Sequence, residues 1–105
     1  MPSPSLKFCT LTELKKKQKI TRWVEDWRDE ISAIFLDGVV TVLSSVCPHF
    51  GGEFDVDFLN GELQCKWHAW RFDIESGKCR TYKLKTQLRH YLFAESDGNL
   101  VIKAQ

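Results

Sequence analysis

Long apolar runs are missing from this 105-residue chain, and so is any excess of one charge. The opening residues, MPSPSLKF, hold nothing that would serve as a secretion signal or a membrane span. A disordered lead-in is expected there, and a cytoplasmic location for the protein. Fifteen basic residues stand against fourteen acidic ones, for a formal charge of +1. Charge therefore points to neither nucleic acid nor a membrane surface. No G-x-G-x-x-G fingerprint occurs, so hydride transfer from a bound nicotinamide is not an activity of this chain alone. Sustained helical periodicity is absent, as are internal repeats and low-complexity tracts. A helical bundle is excluded, and 105 residues suffice for one domain with its own core, expected over 1–105.

What is present is concentrated between Cys47 and Asp73, in CPHFGGEFDVDFLNGELQCKWHAWRFD. Two boxes, Cys47-Pro48-His49 and Cys65-Lys66-Trp67-His68, each offer one thiol and one imidazole, with fifteen residues between them. Thiols and imidazoles together suit zinc, copper or the iron of an iron–sulfur cluster. A zinc knuckle pairs like with like, C-x₂₋₄-C and then H-x₃₋₅-H, whereas here each box is mixed. Cys-x-His is also tight for chelating a single tetrahedral ion. Two mixed boxes can grip a two-iron cluster from opposite sides.

The pattern C-x-H, a spacer of about fifteen residues, and C-x-x-H resembles the Rieske [2Fe–2S] family. Gly51 and Gly52 after the first box strengthen the likeness. So does the continuation of the second, His68-Ala69-Trp70-Arg71-Phe72-Asp73 with Ser76-Gly77-Lys78-Cys79. The resemblance implies one [2Fe–2S] cluster per chain, with Cys47 and Cys65 on one iron and His49 and His68 on the other. It also implies an all-β, antiparallel sandwich into which a small cluster-binding subdomain, about 45–81, is inserted. Phe50, Trp67 and Trp70 are expected to shield the cluster. High-potential members carry an extra cysteine in each box and hydroxyl groups near the second. Here Gly52 and Trp67 stand at the cysteine positions, and Trp70 and Phe72 at the hydroxyl positions. The potential is accordingly expected near the low end of the Rieske range, around −150 mV.

Turn signals divide the rest of the chain into short strands. Asp37-Gly38 joins Ile31–Leu36 to Val39–Leu43, and Asn60-Gly61 marks a hairpin between the boxes. Ser76-Gly77-Lys78 marks a third turn, and Asp97-Gly98-Asn99 joins Leu88–Ala94 to Leu100–Lys103. A strand is also expected at Ile20–Glu25, followed by a polar turn, Asp26–Glu30. Thr10-Leu11-Thr12-Glu13 has capping-box spacing, which predicts one helical turn over Leu11–Leu14. Lys15, Lys16, Lys17 and Lys19 read as a solvated loop beyond it. Cys9 and Cys79 read as reduced, space-filling residues, and His90 as structural.

Three histidines limit the chemistry. With His49 and His68 on the cluster, His90 cannot alone supply the two-histidine, one-carboxylate iron site of a non-haem oxygenase. The expected role is a non-enzymatic, one-electron carrier: a soluble ferredoxin passing electrons from a reductase to an oxygenase by transient docking at the cluster tip. Phe50, Gly51, Trp67 and Ala69 would form the apolar contact there, and Lys66 and Arg71 could steer acidic partners. The alternatives are a small subunit of a nitrite-reductase-type complex and a zinc-stabilised β module.

Overall fold

The run Ile31–Leu36 has almost no polar alternation, and a strand of that kind needs cover on both faces. It has such cover in the computed structural model, which describes residues 5–45, 54–65, 70–81 and 88–103. Strand β3 (Asp29–Leu36) lies between β2 (Lys19–Val24) and β4 (Val39–Ser44) in an antiparallel sheet. Ile31, Ala33 and Phe35 face one way, with Val24 and Val42, and meet Phe8, Leu14, Tyr91, Leu100 and Ile102. Ile34 and Leu36 face the other way, with Leu43, and meet Phe54, Leu63, Cys65, Phe72, Ile74 and Leu88.

The first face is covered by the sheet β1–β9–β8, formed by β1 (Ser5–Thr10), β9 (Asn99–Lys103) and β8 (Phe93–Ser96). The second is covered by a smaller sheet, β5–β6–β7, of β5 (Phe54–Asp57), β6 (Glu62–Cys65) and β7 (Arg71–Asp73). Every ladder is antiparallel. The expected all-β architecture is therefore present.

The hairpin signals are satisfied by their dihedrals. Asp37 and Gly38 have φ of 51° and 78°, and Asp97 and Gly98 have 50° and 76°. Two successive positive φ values are what a tight turn between right-twisted strands requires. Several boundaries differ from expectation. Ser5–Phe8, expected within a disordered lead-in, lies in strand Ser5–Thr10, because β9, at the far end of the chain, offers it a ladder. The single turn expected at Leu11–Leu14 extends to a helix, α1 (Leu11–Lys17). Thr10 caps it, accepting from the Glu13 amide at 3.1 Å, and Leu14 is buried beneath it. Lys15, Lys16 and Lys17 are in this helix, where three cations favour the C-terminal end of the dipole. Lys17 also pairs with Glu13 one turn back, at 3.3 Å. Lys19 lies on β2. The expected turn Asp26–Glu30 is a 3₁₀ turn, Glu25–Trp27, with Asp29 and Glu30 already in β3. The final strand pair begins at Phe93, and His90 makes an isolated bridge to Leu43.

Candidate metal centre

Of the four candidate ligands, Cys65 falls among the described residues. Cys47, His49 and His68 lie outside them, as do Phe50, Gly51, Gly52, Lys66, Trp67 and Ala69. Residues on either side of both boxes are described. Strand β5 follows the first box, β6 leads into the second, and Phe54 is the register partner of Cys65. The Cys65 amide donates to the Trp70 carbonyl at 2.9 Å, so it points towards β7 and away from β5. Phe54 and Cys65 are thus a non-hydrogen-bonded pair, the kind in which Cα atoms are about 4.5 Å apart. Ahead of the first box, Ser45 is pinned to β3: its amide donates to the Glu30 carbonyl at 2.8 Å, and its hydroxyl does so at 3.1 Å.

Alternation divides β5–β7 into two chemically distinct faces. Phe54, Val56, Leu63, Cys65 and Phe72 form the inner face, and Cys65 is completely buried. The Phe54 and Phe72 rings meet edge to face, 5.6 Å between centroids at 83°. Trp70 and Cys79 pack partly buried beside them. A thiol in such an apolar pocket, at a strand end adjoining two Cys/His boxes, fits a soft metal centre screened from water. Among the described residues no group of three His, Cys, Asp or Glu could hold a metal ion. Phe72 was expected to matter as a missing hydroxyl; it also builds this wall, and a hydroxyl there would need a buried partner.

The outer face carries a ladder of charges. Arg71 Nη1 lies 2.9 Å from Glu62 Oε1 and 3.3 Å from Asp57 Oδ2. Arg80 Nη1 lies 3.1 Å from Glu62 Oε2, and its Nη2 is 2.8 Å from Asp73 Oδ1. Glu62 is nearly buried and binds both guanidinium groups, joining β6 to β7 and to the bend at Arg80. The Asn60 side chain, then its amide, and then Arg71 hold the Asp57 carboxyl below its ordinary range. Its hydrogen bonds to Glu62 and then to Asp57 raise the Arg71 guanidinium. Burial pushes Asp73 up, but bonds from Ser76 and the charges of Arg80 and His90 outweigh it, and the net shift is downward. Arg71 is thus held within this network while its side chain remains partly exposed.

The turn that follows β7 is locked from below. Asp73 Oδ2 accepts from the Ser76 amide at 2.8 Å, and the Gly77 amide donates to the Asp73 carbonyl at 2.7 Å. Gly77 has φ of 76°, and a Cβ there would come within 2.7 Å of the Leu88 carbonyl oxygen and 2.8 Å of the His90 ring. His90 Nε2 in turn lies 2.9 Å from the Ile74 carbonyl oxygen. The Ser-Gly-Lys continuation of the second box is thereby pressed onto the segment 88–90, and His90 serves as its support. Cys9 and Cys79 are free thiols. Burial, and then Glu13, push the Cys9 thiol up, away from reactivity. Three contributors went unread in the sequence: Glu62, Arg80 and Lys19, whose Nζ donates to the Phe54 carbonyl at 2.9 Å. The alternation FDVD/ELQC/RFD could have flagged Glu62; nothing local marks Lys19.

A model of the Rieske [2Fe–2S] domain matches residues 5–92. The ferredoxin of carbazole 1,9a-dioxygenase from Nocardioides aromaticivorans IC177 superposes with a TM-score of 0.80 at 20% identity, over 98% of this chain and 100% of that one. The cyanobacterial plasma membrane Rieske protein of Synechocystis PCC 6803 does so with a TM-score of 0.79 at 21% identity, over 94% and 99%. At these identities the likeness is one of fold. Cholesterol 7-desaturase of Caenorhabditis elegans is 38% identical over 45 residues, which are 40% of this chain and a tenth (10%) of that protein. Among the described residues no helix is long and apolar enough to cross a membrane.

Proposed function

The chain belongs to the Rieske [2Fe–2S] domain family, and on that premise we propose that it is a one-electron carrier holding its cluster through Cys47, His49, Cys65 and His68. The observation that carries this reading is the pairing of Phe54 with Cys65, which sets the strand that follows the first box against the start of the second. The bound cluster would supply one reversible electron per turnover and no group transfer. The protein's own part is to exclude water with Phe54, Phe72 and Trp70, and to keep the two boxes in register through Ser45, Cys65 and the Glu62 network. All 105 residues then form one Rieske domain, with about 45–81 as the cluster-binding part. Three histidines leave no second iron site in this chain, so substrate chemistry belongs to a partner.

The partners in this reading are a reductase that delivers the electron and an oxygenase that receives it, in the cytoplasm. Support comes from the fold shared with the ferredoxin of a dioxygenase. Docking occurs at the histidine side of the cluster, with Phe50, Gly51, Trp67 and Ala69 as a small apolar contact suited to fast release. The test is reconstitution of the full chain with iron and sulfide. Analysis should give two iron and two acid-labile sulfide per chain, and a flavin reductase should reduce it by one electron. One zinc per chain without sulfide would end the carrier assignment. Reduction without onward transfer to any Rieske oxygenase would leave a carrier with a different acceptor.

A further inference from the structure

The central sheet and the small sheet β5–β6–β7 share no strand ladder among the described residues, yet the metal centre requires them to keep a fixed relation. Phe54 stands on β5, an edge strand, and the Cys65–Trp70 bond shows that the backbone groups of the Phe54–Cys65 pair point away from one another. The Phe54 carbonyl therefore faces outward from the sheet, where an edge acceptor would otherwise meet water. Lys19, from β2, closes that edge: Nζ donates to this carbonyl at 2.9 Å in a partly buried setting. Both residues line a groove of about 490 Å³, along with Ser45. Ser45 and Phe54 are the described residues on either side of the first box. Glu30, Asp55 and Lys17 also line the groove, and Lys17 is exposed and paired with Glu13.

We propose that Lys19 is a positioning residue for the metal centre: its ammonium clamps the Phe54 carbonyl to the central sheet and holds one positive charge beside the pair that contains Cys65. This inference rests on the cluster assignment proposed above. The clamp should slow loss of the cluster, because separating β5 from β2 would expose the Phe54–Cys65 edge. The charge should favour the reduced state. One electron, delivered by dithionite, makes the site more negative by one unit while no bond forms or breaks, and a nearby cation stabilises that product. Among the lysines of this region, Lys19 is set apart by its bond to the backbone of the small sheet. Lys17 has the same charge without that bond, which makes it a matched control.

The experiment uses the full chain carrying the reconstituted cluster, in four forms: parent, Lys19→Met, Lys19→Arg and Lys17→Gln. Spectroelectrochemistry reads the reduced-to-oxidised ratio at a fixed potential, and a chelator reads iron release from the oxidised protein. Lys19→Met should lower the ratio at least threefold, about 28 mV at 59 mV per decade for one electron, and raise iron release at least tenfold. Lys19→Arg should stay within twofold of the parent in both, and so should Lys17→Gln. If Lys19→Met does not fold, Lys19→Gln takes its place, retaining an N–H donor without the charge. It should show the lowered ratio with the smaller rise in release. Lys19→Met, or Lys19→Gln in its place, matching the parent in both readouts overturns the proposal, as does an equal shift from Lys17→Gln. A parent that assembles no cluster refutes the carrier reading instead, so the two failures are distinguishable.

Discussion

On one face of the central sheet, β1, β9 and β8 bring Phe8, Leu100 and Ile102 against Ile31 and Ala33. On the other face, β5, β6 and β7 bring Phe54, Leu63 and Phe72 against Ile34 and Leu43. The burial is alike, but the frames are not. Strands β1, β9 and β8 have six, five and four residues, whereas β5, β6 and β7 have four, four and three. Strands that short offer few ladder bonds, and a small sheet is marginal alone. The small sheet compensates with polar fastenings: the Glu62 network outside, the Asp73–Gly77 turn beneath, and Lys19 at its edge. The difference teaches where each region is vulnerable. The framework depends on apolar packing spread over many residues, and the metal-centre sheet on a few specific polar and steric contacts.

The largest test of that contrast removes a ligand. His68→Ala or Cys65→Ala should abolish the intact cluster spectrum, while the framework retains its far-UV dichroism and a cooperative melt. Loss of the framework together with the cluster would show that the two regions do not separate.

Glycines give a sharper comparison, because Gly77 and Gly98 share φ of 76° and differ in surroundings. Gly98 has open space around a hypothetical Cβ, so Gly98→Ala should cost about 1 kcal/mol, the penalty of the left-handed backbone alone. Gly77→Ala adds a clash with the Leu88 carbonyl and the His90 ring, and should cost about 3 kcal/mol by denaturant unfolding. Equal costs would mean that the turn under β7 relaxes freely.

His90→Ala should leave the cluster spectrum unchanged and cost about 1 kcal/mol, for the lost contact to Ile74. Bleaching by this substitution with retention by His68→Ala would reverse the ligand assignment.

The smallest effects are in pH. Asp57 and Asp73 are held below their ordinary values, so their contribution is present above the unfolded carboxylate pKa and is lost as pH falls through the lower folded one. Tyr91 lies on the framework side, and burial followed by its 2.6 Å bond to Asp29 pushes it up to about 12. Its contribution is present below about 10 and lost as pH rises towards that folded value. Asp73→Asn should therefore flatten the acid limb of stability read at the cluster absorbance. Tyr91→Phe should flatten the alkaline limb read by fluorescence of Trp27, which stacks on Tyr91 at 5.6 Å. A change of the opposite limbs would contradict the assignment of these groups to their regions.

The sequence alone pointed to the cluster family, and determined the all-β class and the positions of the tight turns. Each of these is written in neighbouring residues: Cys-x-His, Cys-x-x-His, Asp37-Gly38 and Asp97-Gly98 state their donor sets or dihedrals locally. Tertiary structure decided the rest. Ser5–Thr10 is a strand because β9 is there to pair with it, and no local signal in SLKFCT announces that partner. Arg71 became a fastening because alternation on three strands and the bend at Arg80 gathered Asp57, Glu62 and Asp73 around the two arginines. Lys19, fourth of four nearby lysines in the sequence, meets Phe54 thirty-five (35) residues away because two separate sheets bring an edge carbonyl to it. Local preference is carried by the residue and its neighbours, whereas a hydrogen bond or register between distant segments exists once burial has placed both partners.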